Sequence, residues 1–271
     1  MKYIFAIAIL AALASCAFAA KIVHTSVYSE AMQQEIPTSF VFPDAYFANR
    51  TDRFPVVYGL NGYSANNTSM FYPALKAVIE EGADKFGFMF VVPDNGYDSW
   101  YLDRPKDNKM YETFVAKELV EYVDTRYRTK ADRDHRIVCG ASMGGHGALF
   151  LSRTYPEKYG IVGSFSGVVD LLWESASFRE GPHNGNRPLE ECRALLNVEK
   201  YKDKGFAIYQ DIGFHDHLYN SNKAFHNKMV EAGIPHVYVE REGKHDGPYW
   251  PEAWRTFLEF AANEIDLREK K

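Results

Sequence analysis

Short apolar runs alternate along the chain with longer amphipathic stretches, and the spacing of the apolar positions predicts which become strands and which become helices. Near the start, "KIVHTSVYS" and "TSFVFP" mix β-branched and polar residues with a period of two, as expected of two antiparallel strands. The pattern then changes. "FPVVYGL" (54–60), "FGFMFVVP" (86–93), "RIVCG" (136–140), "GIVGSFSG" (160–167), "GFAIYQDIG" (205–213) and "HVYVERE" (236–242) are nearly continuous apolar runs, which suit strands buried on both faces of a mostly parallel sheet. Between them, 70–81, 111–126, 143–155, 219–232 and 250–265 repeat apolar residues at three and four, the helical period. Strand alternating with helix predicts βαβ units, hence an α/β protein whose central sheet carries helices on both faces. Only residues 168–204 break the rhythm. That segment is polar and contains Gly and Pro, and it is expected to be an insertion lying over one end of the sheet, where open α/β sheets bind their ligands.

With 271 residues, 46% of them hydrophobic and 25% charged, the chain has the proportions of one large α/β domain. No repeat or linker marks a second domain, so 20–271 is expected to fold as a unit. Residues 1–19 read differently: after Lys2 they are apolar apart from Ser15 and end in "CAFA", with Ala17 and Ala19 at the small positions of an A-x-A cleavage site. A secretory signal peptide is the expectation, and with it a secreted or periplasmic protein. "LASC" (13–16) offers an alternative, a lipoprotein signal spanning 1–15 with Cys16 lipidated, which would tether the protein to a membrane. Beyond the signal only Cys139 and Cys192 remain, too few for a disulfide scaffold, so the fold depends on its core. A net charge of -5 argues against nucleic acid as a partner.

Candidate chemistry centres on "RIVCGASMGGHGALF", where Ser142 stands in G-x-S-x-G between a predicted strand and a predicted helix. That context is the one a nucleophile elbow requires: glycines where side chains would collide, and a helix N-terminus aimed at the reacting atom. A serine needs a base, which in turn needs a carboxylate to orient it. "HVYVEREGKHDGPYW" places His245 just past the final strand, whereas His226 and His236 fall within regular elements and read as structural. "AIYQDIGFHDHLY" offers two carboxylates: Asp211 at the strand's end, and Asp216 in the loop, free to turn toward the histidine. His215 and His217 flank Asp216 as H-x-H, but no further ligand stands at telling spacing, so neither a metal nor a cofactor is expected. Donors for a developing oxyanion are expected from the backbone N–H groups of Met143 and Tyr63, the latter in the loop "GLNGYSANN". Trp100 and Tyr101 in "DSWY", with Trp173 in the insertion, are candidates for an aromatic substrate pocket.

The ordered series "YGLNGY", "VVPDNGYDSWY", "CGASMGGHGAL" with "YPEKYGIVGSFSG", "DIGFHDHL" and "GKHDGPYW" resembles the putative esterase family of α/β-hydrolases. That family includes esterase D (S-formylglutathione hydrolase), tributyrin esterases and feruloyl esterases. The resemblance covers nearly the whole chain after the leader. It implies the α/β-hydrolase fold, a Ser142, Asp216 and His245 triad, and hydrolysis of carboxylic esters with no cofactor. One departure is Asn61, where many members carry histidine. The expected function is that of an exported serine carboxylesterase acting on short acyl or hydroxycinnamoyl esters, including those linked to polysaccharide. An acyltransferase or a thioesterase of the S-formylglutathione hydrolase kind is the alternative within the family, and a non-catalytic carbohydrate-binding or surface protein the alternative outside it.

Overall fold

The apolar runs pair into one eight-stranded sheet in a computed structural model that describes residues 20–48, 50–171 and 186–270. Strands β1 (Lys21–Ser29) and β2 (Gln34–Phe42) form the antiparallel hairpin read from their alternation. β3 (Val56–Leu60) and β4 (Met89–Pro93) follow, then a two-residue hairpin of β5 (Asp103–Arg104) and β6 (Lys109–Met110) that stands apart from the sheet. The series is completed by β7 (Arg136–Ala141), β8 (Ile161–Phe165), β9 (Ala207–Gly213) and β10 (Val237–Arg241). The order is β1-β2-β4-β3-β7-β8-β9-β10, with β2 antiparallel to both neighbours and every later pair parallel.

The continuous apolar runs have a direct cause, since both faces of these strands are covered. Val56, Tyr58, Val91, Val138 and Val162 point to one core; Val57, Phe90, Val92, Cys139 and Phe165 point to the other. The first core is closed by helices α3 (Tyr111–Thr113), α4 (Leu119–Arg126) and α5 (Met143–Thr154), while α2 (Pro73–Phe86) closes the second; the short α1 (Asp44–Ala48) precedes β3. Beyond α6 (Leu189–Cys192), α7 (Tyr219–Glu231) joins the first layer and α8 (Trp250–Glu269) the second. Full burial of each such Val, Leu or Phe contributes about 1.5 to 3 kcal/mol, so two sandwiched cores hold the strand ends firmly.

Several boundaries differ from the sequence reading. The helix expected from 70 begins at Pro73, because proline's fixed φ suits the first helical turn; Met70 lies in a preceding 3-10 turn, Ser69–Phe71. It continues to Phe86, where Gly87 at φ 66° ends it. The stretch 111–126 is helical but contains a π turn, Phe114–Glu118. Residues 186–204, the described later part of the insertion, form α6 and two 3-10 turns packed against α5 and α7, with the Tyr201 hydroxyl donating to the Leu149 carbonyl at 3.0 Å. Val168, at the start of the insertion, lines a cavity at the carboxyl end of the sheet, and residues 172–185, its middle part, lie outside the described residues. Among the described residues no helix is long and apolar enough to cross a membrane. The leader 1–19, Cys16 included, lies outside them.

Candidate active site

In this sheet β4 lies on one side of β3 and β7 on the other, so the chain's crossovers diverge there and leave a crevice at the carboxyl ends of β3 and β7. Ser142 stands at that point, between β7 and α5, at φ 57° and ψ -119°. The conformation is strained for a side-chain-bearing residue and persists because its surroundings fix it. The Ser142 N–H donates to the Phe165 carbonyl at 3.0 Å, and its own carbonyl accepts from His146 at 3.1 Å and Val168 at 3.2 Å. Two glycines make the turn possible. A Cβ on Gly140 would lie 2.4 Å from the Leu60 carbonyl oxygen, and one on Gly144 only 2.0 Å from the same atom. No side chain fits at either position.

The structure brings His245 and Asp216 to this serine. His245 lies in the loop after β10 and places Nε2 at 2.9 Å from Ser142 Oγ; its Nδ1 is 2.8 Å from Asp216 Oδ2. The partners assign the tautomer: Nδ1–H donates to the carboxylate, which leaves the Nε2 lone pair for the serine proton. Asp216, in the loop after β9, has a fully buried side chain whose Oδ1 accepts the Leu218 N–H at 2.8 Å. Burial alone would raise its pKa, but the hydrogen bond and charge of His245, with the Leu218 N–H, outweigh it and hold the carboxyl below its usual range.

Asp211 is the strand-end residue the sequence suggested. Its buried carboxylate pairs with Arg241 at 2.5 Å and accepts the hydroxyls of Tyr209, at 3.0 Å, and Tyr249. Burial pushes it up to about 6, with Arg241 pulling the other way. His226 and His236 bond one another at 2.8 Å, and His215 pairs with Glu242 at 2.8 Å. His217 sits with its ring centroid 4.6 Å from that of His245. Asp216, His217 and His245 together put three possible ligand atoms within 4.8 Å, yet two of the residues already bond each other, so a metal bound there would have to break the Asp216–His245 pair.

Met143 opens α5, so its N–H has no partner within the helix and lies at the positive end of the dipole. Across the crevice, Gly62 comes so close that a Cβ on it would stand 3.6 Å from Ser142 Cβ; Tyr63 follows and lines the same cavity. Asn61 supports this loop from beneath, its side chain donating to the Pro93 carbonyl at 3.0 Å.

Tyr101 requires a correction. It is fully buried, its ring lies against Gly147 and its hydroxyl donates to the Asn61 carbonyl at 2.9 Å, so it braces the loop and does not line the cavity. Trp100 does line it, although only 1% exposed, with its ring edge against His146. Trp173 lies outside the described residues. The cavity measures about 520 Å³, within the range of small-ligand sites, and its apolar wall comes largely from residues the sequence reading left out: Met70, Leu75, Trp250 and Trp254. Trp250 stands edge-on to His245 at 5.2 Å. Each belongs to an apolar stripe that reads as ordinary core. The available signal was position, because Trp250 and Trp254 open the helix directly after the His245 loop.

A serine on a strained strand-to-helix turn, bonded through histidine to aspartate at the carboxyl edge of this sheet, defines an α/β-hydrolase. Within that class, residues 29–258 match the family described as "Putative esterase", and the chain belongs to it. It is an esterase among esterases. It is 26% identical over 227 residues to an acetyl esterase of Caldicellulosiruptor saccharolyticus, covering 77% of this chain and 84% of that one. Identity to an S-formylglutathione hydrolase of Arabidopsis thaliana is 24% over 229 residues, 76% of this chain and 78% of the other. Among solved structures, a ferulic acid esterase superposes with a TM-score of 0.79 at 24% identity, covering 91% of this chain and 100% of its own, and supports the fold.

Proposed function

We propose that this esterase is exported and hydrolyses short acyl or hydroxycinnamoyl esters, including those carried on polysaccharide, through an acyl-enzyme on Ser142. The observation that carries the reading is the continuous hydrogen-bonded series Ser142, His245, Asp216 opening onto an apolar cavity. In the forward step Ser142 Oγ attacks the ester carbonyl while its proton moves to His245 Nε2. The carbonyl π electrons move to oxygen, and the backbone N–H groups of Met143 and Tyr63 receive that negative charge. Collapse expels the alkoxide, which takes the proton from Nε2, and leaves the acyl group on Oγ. Water then repeats the sequence: it gives its proton to Nε2, attacks the acyl carbon, and releases the acid as the proton returns to Oγ. Asp216 stays ionised throughout and stabilises the imidazolium.

The cavity's apolar lining, with Met70 from the turn before α2, Leu75 from α2 and Trp254 from α8, suits a flat or short acyl group. Export rests on the leader pattern in residues 1–19. The test is a panel of acetyl, butyryl, feruloyl, long-chain and S-formylglutathione substrates with the purified protein, beside sequencing of the mature N-terminus from a secreting host. Fastest turnover on long-chain esters would refute the substrate class, and a preference for the glutathione thioester would move the protein to the thioesterase branch. A mature N-terminus at Met1 would refute export, and one at Cys16 would show the lipoprotein signal.

A further inference from the structure

We infer that Asn95 is a positioning residue of this site: it locks the peptide between Gly62 and Tyr63 so that the N–H, and never the carbonyl, faces the reacting oxygen. The inference rests on the reading of Tyr63 as an oxyanion donor. Asn95 follows β4 and is fully buried. Its Nδ2 donates to the Gly62 carbonyl at 2.5 Å and reaches the Asn61 carbonyl at 3.3 Å, while its Oδ1 accepts the Tyr97 N–H at 3.0 Å. A reciprocal bond runs from the Ser64 N–H to the Tyr97 carbonyl at 2.8 Å, so the two loops are stapled together in both directions.

A trans peptide is planar with its C=O and N–H pointing opposite ways, so holding one end aims the other. Asn95 holds the Gly62 oxygen, and the Tyr63 N–H is thereby directed to the other side. Such a lock matters here because Gly62 has no Cβ. A peptide preceded by glycine can turn over at little steric cost, and the turned-over form would present a carbonyl oxygen to a developing negative charge. The Ala65 N–H also reaches the Gly62 carbonyl, at 3.3 Å, so Asn95 supplies the shorter of two restraints. Buried asparagine suits this role because its amide gives one donor to the oxyanion loop and one acceptor to its own loop, with no charge to desolvate.

The test compares Asn95→Ala and Asn95→Asp with the wild-type enzyme on a substrate it hydrolyses. Asn95→Ala is expected to lower kcat about 100-fold, the scale of losing one oxyanion donor, with KM changed less than about threefold. A trifluoromethyl ketone, whose hemiketal oxygen occupies the oxyanion position, should lose affinity in step with kcat/KM. The product acid, which places no such charge, should bind as before. Asn95→Asp repels the Gly62 oxygen when ionised but can donate to it when protonated, so its kcat relative to wild type should recover as pH falls. That ratio also carries the test if the alanine variant does not fold. Wild-type kcat in a folded Asn95→Ala, or parallel losses of ketone and product affinity, would overturn the inference and leave the esterase reading intact. An inactive wild-type protein would remove both.

Discussion

Replacing Asp216 with asparagine isolates what the carboxylate does, because the two side chains have nearly the same shape. The amide oxygen can keep the Leu218 N–H, which Asp216 Oδ1 now accepts at 2.8 Å, so the loop should hold. The other position changes sign. Where Oδ2 accepts from His245 Nδ1 at 2.8 Å, an NH2 group would donate, and the imidazole would have to carry its proton on Nε2, facing Ser142 Oγ at 2.9 Å. In that tautomer it cannot take the serine proton. A loss of about 10⁴ in kcat follows, or about 5.5 kcal/mol of transition-state stabilisation. Stopped or continuous hydrolysis of a nitrophenyl ester, with active sites titrated and folding checked by circular dichroism, measures it. Retention of more than about a tenth of wild-type kcat/KM in a folded variant would refute the role, since the wrong tautomer alone costs far more. A second readout is stability against pH. The Asp216 carboxyl is held below its ordinary value of 3.8, so its contribution to stability is present above that value and is lost as pH falls through the depressed one. Asp216→Asn should therefore be less stable than wild type at neutral pH, with the gap closing in strong acid.

Ser142→Ala should abolish hydrolysis and fluorophosphonate labelling while the melting temperature stays close to wild type, because the hydroxyl contributes little packing; labelled mutant protein would point to another nucleophile. Trp250→Ala should slow feruloyl esters more than acetyl esters, since an aryl group loses stacking of about 0.5 to 1.5 kcal/mol beyond its buried area; equal losses in kcat/KM would place Trp250 outside acyl recognition. Asp211→Asn should retain most turnover. Burial raises the Asp211 carboxyl from 3.8 to about 6, so it favours folding when protonated, fully below the lower value and no longer once pH has climbed through the higher. Denaturant melts of Asp211→Asn between pH 4 and 7 should lack that decline, and an unchanged decline would assign it to other groups.

The nucleophile and its partners were legible because their constraints are local. Gly140 and Gly144 sit where a Cβ would meet the Leu60 carbonyl, and such close approaches leave a mark at fixed spacing around the serine. Asp216 could be preferred to Asp211 on similar grounds, since a residue inside a buried strand cannot reach across the sheet's edge. The cavity wall was not legible. Leu75 and Trp254 obey the helical period of the core they belong to, as Met70 does in the sequence pattern, and only the cavity they line turns them into a surface. Tyr101 misled for the opposite reason: a loop aromatic reads as exposed, but Gly147 leaves a slot that its ring fills. Asn95 lay inside the quoted segment "VVPDNGYDSWY", but nothing there marked its role, because its work is done on backbone atoms remote in sequence.

The base of this triad lies in the loop after an edge strand. Among the described residues β10 is five residues long, lies at an edge of the sheet, pairs with β9 alone and is at most half-buried, while β7 beneath the serine is sandwiched by β3 and β8. Edge elements with little buried surface open locally at a small fraction of the global unfolding free energy. An opening of β10 would carry His245 away and leave the elbow standing. In such an opening, function would be lost while the fold remained. The Asp211–Arg241 pair is one side-chain tie from that edge strand to β9.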